Sequence, residues 1–83
     1  MMVEEINEIV RVRADFSAAE VIPRAFKRGG RIFRVTKVNA RWEDRTGECK
    51  RYHFSVEAAG NVFELHLDTR DMLWRLDRVC IEG

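Results

Sequence analysis

The sequence predicts an all-β fold: a five-stranded antiparallel sheet, either an SH3-like barrel or a strongly bent meander, with one short helical turn near residues 17–28. Three observations predict it. Apolar and polar residues alternate almost without exception through residues 52–68, which is the period of a half-buried strand. Segments of turn composition separate the later apolar segments. None of these connections reaches the roughly dozen residues that a parallel crossover needs, which excludes an α/β fold.

The chain has 83 residues, which suits one domain with a small core. Residues 6–13 are predicted as the first strand because of the sequence Ile-Val-Arg-Val, and helix is the alternative for residues 2–10. Residues 17–20 (Ser-Ala-Ala-Glu) have the spacing of a capping box, which predicts that the helical turn begins there. Gly29-Gly30 ends this segment and allows a sharp entry into the next strand.

A long strand is predicted over residues 31–43. A turn centred on Gly47 then leads into the hairpin of residues 52–68, whose own turn is predicted at Gly60-Asn61. A final strand covers residues 72–81, after a loop at Arg70-Asp71. These turns place the following residues opposite each other: Trp42 and Tyr52, Ala40 and Phe54, Val38 and Val56; Ala58 and Phe63, Val56 and Leu65, Phe54 and Leu67; Leu67 and Trp74, Leu65 and Leu76.

Four apolar residues do not share the face of these pairs. Phe33 and Val35 have the opposite parity in the second strand, and Val79 and Ile81 have it in the last. A bulge or a barrel corner would explain the change. If the sheet is open, the four residues instead form a second apolar face, which a homodimer or another protein partner would cover.

Basic residues are concentrated early in the chain. The net charge of +1 gives no general attraction to nucleic acid, but residues 21–42 contain seven basic residues and no acidic one. Proteins that bind single strands combine cations, which follow the phosphates, with rings that stack on the bases. Phe26, Phe33 and Trp42 are interleaved with these cations. The sequence therefore predicts a nucleic-acid-binding surface formed by Arg24, Lys27, Arg28, Arg31 and Arg34. The alternative is a solvated face that is neutralised by the acidic first twenty residues.

The polar face of the 52–68 hairpin carries His53, Ser55, His66 and Asp68. The predicted register places His53 opposite Asp68 and Ser55 opposite His66. An open strand face offers neither a pocket nor an oxyanion hole, so we expect no enzyme activity. Two histidines and an aspartate are sterically able to bind a metal, but paired histidines on a sheet are rarely ligands, and we expect no metal and no cofactor.

The chain carries no signal of export or membrane insertion. Cys49 and Cys80 match no zinc or redox spacing, the amino terminus is acidic, and no apolar stretch approaches about 20 residues. We expect a cytoplasmic protein with reduced thiols and no membrane partner.

Residues 23–79 also resemble a known family. The resemblance is carried by Pro23, Phe26, Gly30-Arg31, Val35, Val38, Trp42, Tyr52, Glu64-Leu65, Asp68 and the segment 74–79 (Trp-Arg-Leu-Asp-Arg-Val). The family consists of small uncharacterised bacterial proteins, and members resemble accessory proteins found near genes for error-prone DNA polymerases. Asp71 stands where relatives tend to have glycine. The resemblance implies no activity and favours a role with nucleic acid by association alone.

Overall fold

The computed structural model describes residues 1–81, in which all regular structure is β-strand. Seven strands follow one another along the chain. They are β1 (Met2–Ser17), β2 (Glu20–Arg28), β3 (Arg31–Arg34), β4 (Lys37–Thr46), β5 (Cys49–Ala58), β6 (Asn61–Asp68) and β7 (Leu73–Ile81). Within this part of the chain no helix has the length and apolar character needed to cross a membrane.

The strands form one antiparallel sheet in the order β3-β2-β1-β7-β6-β5-β4. The all-β prediction is therefore confirmed. The prediction of five strands is wrong, and so is the closed SH3-like barrel, because β3 and β4 are the two free edges of the sheet. Two meanders, β1–β3 and β4–β7, are joined through the pairing of β1 with β7. The sheet is bent so far that side chains of β2 and β6 touch, although β1 and β7 lie between them.

Residues 17–28 form a hairpin and a strand, and the predicted helical turn is wrong. Ala18 and Ala19 have φ angles of 48° and 68°, the left-handed values that both central residues of a type I′ turn require. Ser17 lies opposite Glu20 across that turn. The capping-box spacing therefore coincides with that of a two-residue hairpin loop, and the strand-favouring pair Val-Ile follows it.

Between β3 and β4 the chain passes from one edge of the sheet to the other within two residues. The Val35 N–H donates to the carbonyl of Arg24 on β2 at 2.9 Å, and the Thr36 N–H donates to the carbonyl of Glu57 on β5 at 2.8 Å. The long strand predicted over residues 31–43 is therefore divided here. Its first part lies at one edge of the sheet and its second part at the other.

The hairpin of β5 and β6 is present, with its turn one residue earlier than predicted. Ala59 and Gly60 are the central residues, at φ angles of 50° and 78°. Phe54 consequently lies opposite Leu65, not Leu67, and each predicted partner is displaced by two residues. Because side chains alternate with a period of two, this displacement leaves every residue on its predicted face.

Trp42 lies on the outer face, which we define as the face of the sheet opposite the core. It was predicted to face Tyr52 inside the core, and that prediction is wrong, because Trp42 lies opposite His53. A register irregularity between Val38 and Ala40 is the reason. Val38 is opposite Val56 as predicted, but the residues after the irregularity face the other way.

The pairing of β6 with β7 is confirmed. Leu67 lies opposite Trp74 and Leu65 opposite Leu76. The predicted bulge is also present, since the register shifts where Leu65 pairs with Leu76 and its neighbour Glu64 pairs with Arg78. Asp77 is the extra residue at this bulge, and its position on the outer face matters below.

The core lies inside the bend and includes the residues predicted to form a second apolar face. The rings of Phe26, Phe33 and Phe63 contact one another with centroids 5.0–5.3 Å apart. Val79 is buried with them, and Val35 and Ile81 pack against this cluster. The prediction that Phe33, Val35, Val79 and Ile81 form a second apolar face is therefore wrong. The bulge and the bend of the sheet turn these residues toward the same core as the residues of the opposite parity. Homodimerisation remains a prediction, without these four residues as its basis.

Replacing Leu65 by alanine should lower the free energy of unfolding by about 2–5 kcal/mol, because Leu65 is fully buried between β5 and β7 and its loss leaves a cavity. Leu73→Ala is the matched control, since Leu73 is 40% exposed. Urea unfolding followed by circular dichroism measures both variants. Equal losses would show that Leu65 is not the centre of the core.

Candidate functional site

Three of the five cations predicted to bind nucleic acid have other partners. Arg24 Nε donates to Asp15 at 2.7 Å and Arg28 Nε donates to Glu8 at 3.2 Å, so both arginines are neutralised by β1. The Arg31 guanidinium carbon lies 4.6 Å from the centroid of the Phe33 ring. Asp15 and Glu8 both belong to the acidic first twenty residues. Arg24 and Arg28 are therefore neutralised as the alternative prediction states.

Lys27 and Arg34 join two arginines of β1 that the sequence analysis did not include. Together with Arg11 and Arg13 they line a concave surface of about 260 Å³ on the outer face of β1, β2 and β3. Ile32, which is 64% exposed, lies among them. We call Arg11, Arg13, Lys27 and Arg34 the cation cluster. No carboxylate of residues 1–81 forms an ion pair with any of the four.

The register places like charges side by side in this cluster. Arg11 lies directly opposite Lys27, and Arg13 and Arg34 flank Ala25 from its two sides. Like charges directly opposite each other on neighbouring strands destabilise a sheet. The alternation Arg-Val-Arg at residues 11–13 is the sequence signal that would have found the two missing cations, since it places both on one face of a strand.

The rings expected to stack on bases do not reach this surface. Phe26 is 2% exposed, and Phe33 lies parallel to it with centroids 5.0 Å apart. Both rings point to the inner face, as do Arg28 and Arg31, and of the cations between them in sequence only Lys27 points outward. Trp42 lies on β4 and does not line this surface. The cation cluster therefore offers charge and a small apolar contact at Ile32, without an aromatic platform.

A row of aromatic side chains crosses β4, β5 and β6 on the same outer face. Trp42 lies opposite His53, and His53 lies opposite His66. The Trp42 and His53 rings are nearly parallel, with 6° between their planes and centroids 5.2 Å apart, and the His53 and His66 centroids are 5.1 Å apart. This register is displaced from the prediction, so Ser55 lies opposite Glu64 and not opposite His66. Ser55, His66 and Asp68, the serine, histidine and aspartate of this face, are therefore not brought together as a catalytic set.

Each histidine is oriented by a carboxylate. His53 Nε2 lies 2.9 Å from Asp44 Oδ2, and His66 Nδ1 lies 2.8 Å from both oxygens of Asp77. Asp68, the carboxylate that the sequence placed beside His53, instead accepts a hydrogen bond from Arg70 Nη2 at 3.3 Å. Alternation after the buried Leu76 already places Asp77 on this face, but the sequence analysis did not pair β6 with β7 on the outer face and so missed it.

Asp44 is held ionised by its neighbours. Arg51 donates two hydrogen bonds to it, from Nε at 2.6 Å and from Nη2 at 2.9 Å. The bonds from Arg51 are the main reason why the pKa of the Asp44 carboxyl is below its ordinary value. Desolvation opposes them less strongly, and the bond from His53 lowers the pKa further. Asp71 is similar, since its hydrogen bond from Arg75 lowers its pKa to about 2.

A groove of about 780 Å³ lies at one end of the molecule, between the β1–β2 turn and β4. Its lining includes the apolar residues Phe16, Val21, Tyr52, Phe54, Leu67 and Met72. The sheet is open here, because β4 is an edge strand and β3 pairs with β2 only over residues 25–28. The ion pair between Arg41 and Glu20, at 3.5 Å, spans the opening.

Comparison of the chain with protein-family models, with curated proteins and with solved structures finds no match. The resemblance to small bacterial proteins near error-prone polymerase genes therefore stays a prediction, and the function has to be argued from these surfaces alone.

Replacing Arg51 by glutamine should raise the pKa of Asp44 toward its ordinary value of 3.8, because the largest stabilisation of the carboxylate is lost. In the wild type the folded pKa is below the unfolded one. Ionised Asp44 therefore stabilises the fold above pH 3.8, and this contribution is lost as the pH falls through the folded pKa.

Carboxylate carbon NMR titration of wild type and Arg51→Gln measures this change. Asp71 is the internal control, since its hydrogen bond comes from Arg75 and its pKa of about 2 should not move. An Asp44 titration that is the same in both proteins would show that Arg51 does not set its ionisation.

Proposed function

We propose that this domain is a non-enzymatic module that binds nucleic acid through its phosphate backbone, using the cation cluster. The observation that carries the proposal is that the sheet keeps four cations together, including Arg11 directly opposite Lys27, and that no carboxylate of residues 1–81 forms an ion pair with them. Many other charges of the described chain are paired, as Arg24, Arg28 and Arg78 are with carboxylates of β1. A polyanion that lies across β1, β2 and β3 would relieve the repulsion within the cluster.

The geometry favours binding without sequence preference. Contacts from arginine and lysine to phosphates position a protein on nucleic acid but do not read bases. Phe26 and Phe33 are in the core, so stacking on bases is not available at this surface. We therefore expect affinity that depends strongly on salt and weakly on sequence. The resemblance to proteins encoded near error-prone polymerases is consistent with such a role.

Four phosphate contacts set the expected salt dependence. The logarithm of the affinity should fall with the logarithm of salt concentration with a slope of roughly −3.6 for duplex and roughly −2.8 for single strands. Lys27→Glu combined with Arg34→Glu should abolish measurable binding, because it places two negative charges inside the cluster. Fluorescence anisotropy with labelled oligonucleotides across a salt series gives both quantities.

The matched control is Arg41→Glu combined with Arg45→Glu. It makes the same change in net charge on two exposed residues of β4 that lie outside the cation cluster, where Arg41 is ion-paired with Glu20 at the start of β2. If this control weakens binding as much as the cluster variant, the effect is one of total charge and the assignment to the cluster is wrong. No binding by the wild type even at low salt would overturn the proposed function itself.

The groove supports a second candidate function, an adaptor that binds an extended peptide. Its apolar lining lies beside the unpaired edge of β4, so a peptide strand could add to that edge while its alternate side chains enter the groove. This places the predicted protein-interaction role on a surface other than the four core residues first considered.

Phe16→Asp should prevent peptide binding, because Phe16 lines the groove and is 65% exposed. Ile9→Asp is the matched control, as Ile9 is 63% exposed but lies outside the groove. Peptides that bind the wild type would be selected from a displayed library. Binding of each peptide to the variants would then be followed by the NMR chemical-shift changes of residues in β4. Equal binding by both variants, or shifts far from β4, would rule out this groove.

A further inference from the structure

We propose that His53, His66 and Asp77 form a binding site for a divalent transition-metal ion such as Zn²⁺ on the outer face of β5, β6 and β7. The proposal is independent of nucleic-acid binding, which uses other residues on other strands. One nitrogen of each histidine and one oxygen of Asp77 lie within 4.8 Å of one another. Three different strands therefore supply three donors that converge on one point.

The donor set selects the class of metal. Two imidazole nitrogens and one carboxylate oxygen suit zinc and its neighbours in the transition series, whereas calcium and magnesium prefer oxygen donors throughout. Three protein donors leave a tetrahedral ion with one position for water or another small ligand. The side chains of His53, His66 and Asp77 are 13%, 10% and 18% exposed, so the site is sheltered but within reach of solvent.

The distances are compatible with a bound ion after small side-chain rotations. Two donors of a tetrahedral Zn²⁺ ion are about 3.3–3.4 Å apart, given bonds of about 2.0–2.1 Å. The donors therefore need to approach by at most about 1.4 Å from their 4.8 Å limit. His66 Nδ1 and Asp77 are already 2.8 Å apart. The ion would lie between them, bound to unprotonated Nδ1 of a neutral His66 ring whose proton is on Nε2.

The groups around His53 orient its ring for metal coordination. Asp44 lies at Nε2 of His53, which leaves Nδ1 as the nitrogen free for a metal. A carboxylate on the other ring nitrogen is the common arrangement around metal-binding histidines, since it fixes the tautomer and the ring orientation. Trp42 covers the His53 ring in a parallel stack and so restricts its rotation further.

Nearby cations do not oppose a bound ion, because carboxylates neutralise them. Arg51 is paired with Asp44 by two hydrogen bonds. Arg75, which lies opposite His66, is paired with Asp71 at 2.8 Å. Both guanidinium groups are therefore ion-paired, and the only carboxylate within hydrogen-bonding distance of His66 among residues 1–81 is Asp77.

Titration of the untagged, metal-free full chain with Co²⁺ tests the proposal. We expect saturation at one equivalent, with visible absorption bands of a low-symmetry cobalt site and strong shifts of both histidine ring signals in the NMR spectrum. The chain has only two histidines, so these signals are assigned without ambiguity. Zn²⁺ should displace the cobalt and raise the unfolding temperature, because it binds the folded state.

His66→Gln and Asp77→Asn should each weaken cobalt binding by at least roughly tenfold. Asp68→Asn is the matched control, since Asp68 lies on the same face of β6 but bonds to Arg70 and is outside the site. Circular dichroism shows whether each variant is folded, and the cobalt shifts of the wild-type histidines test the site without any variant.

Three results would overturn the proposal. The first is no saturable binding of Co²⁺ or Zn²⁺ by the wild type. The second is an equal loss in Asp68→Asn and Asp77→Asn. The third is a thiolate-to-cobalt absorption band, which would assign the ion to Cys49 or Cys80, both of them free thiols.

Discussion

The contact among the rings of Phe26, Phe33 and Phe63 holds one end of the sheet against β6 in its other half. A single sheet without helices has no second layer against which to bury its apolar face, so it must bend until it buries that face against itself. The three rings are the point at which β2 and β3 meet β6. The bulges of β1, β4 and β7 follow from this requirement, because an evenly paired sheet cannot bend so sharply.

The outer face has to be stable in water without any covering element, and it is organised differently in its two halves. On β4 to β7 several charges are paired across neighbouring strands, as Arg51 is with Asp44 and Arg78 with Glu64. The histidines lie between a tryptophan and carboxylates. On β1 to β3 the cation cluster forms no ion pair with any carboxylate of residues 1–81, although Arg24 and Arg28 on the same strands are paired. The two halves therefore suit different ligands, a compact cation on one and an extended anion on the other.

The sequence predicts the strands and the inner face well, because alternation with a period of two is a local property that survives small errors in the turns. The β5–β6 turn is displaced by one residue, yet every predicted core residue of that hairpin is on the correct face. The sequence does not predict which residues become extra at a bulge. Trp42 was assigned to the core because its face depends on an irregularity set by the bend of the whole sheet. Asp77 has outward parity by alternation alone, but alternation does not show its contact with His66, which lies opposite Arg75.

The pairing of β1 with β7 differs from all the others in how far apart its partners are in the chain. Met2 lies opposite Ile81, whereas every other ladder joins strands that are consecutive in sequence. Hairpins close quickly because their loops are short. Pairing β1 with β7 instead closes a loop of nearly the whole chain, and the conformational entropy of that loop is lost before the contacts between the two strands can compensate for it. The two meanders can therefore become ordered early and separately. The cation cluster belongs to one of them and the histidine pair to the other, so each surface is assembled within its own local unit.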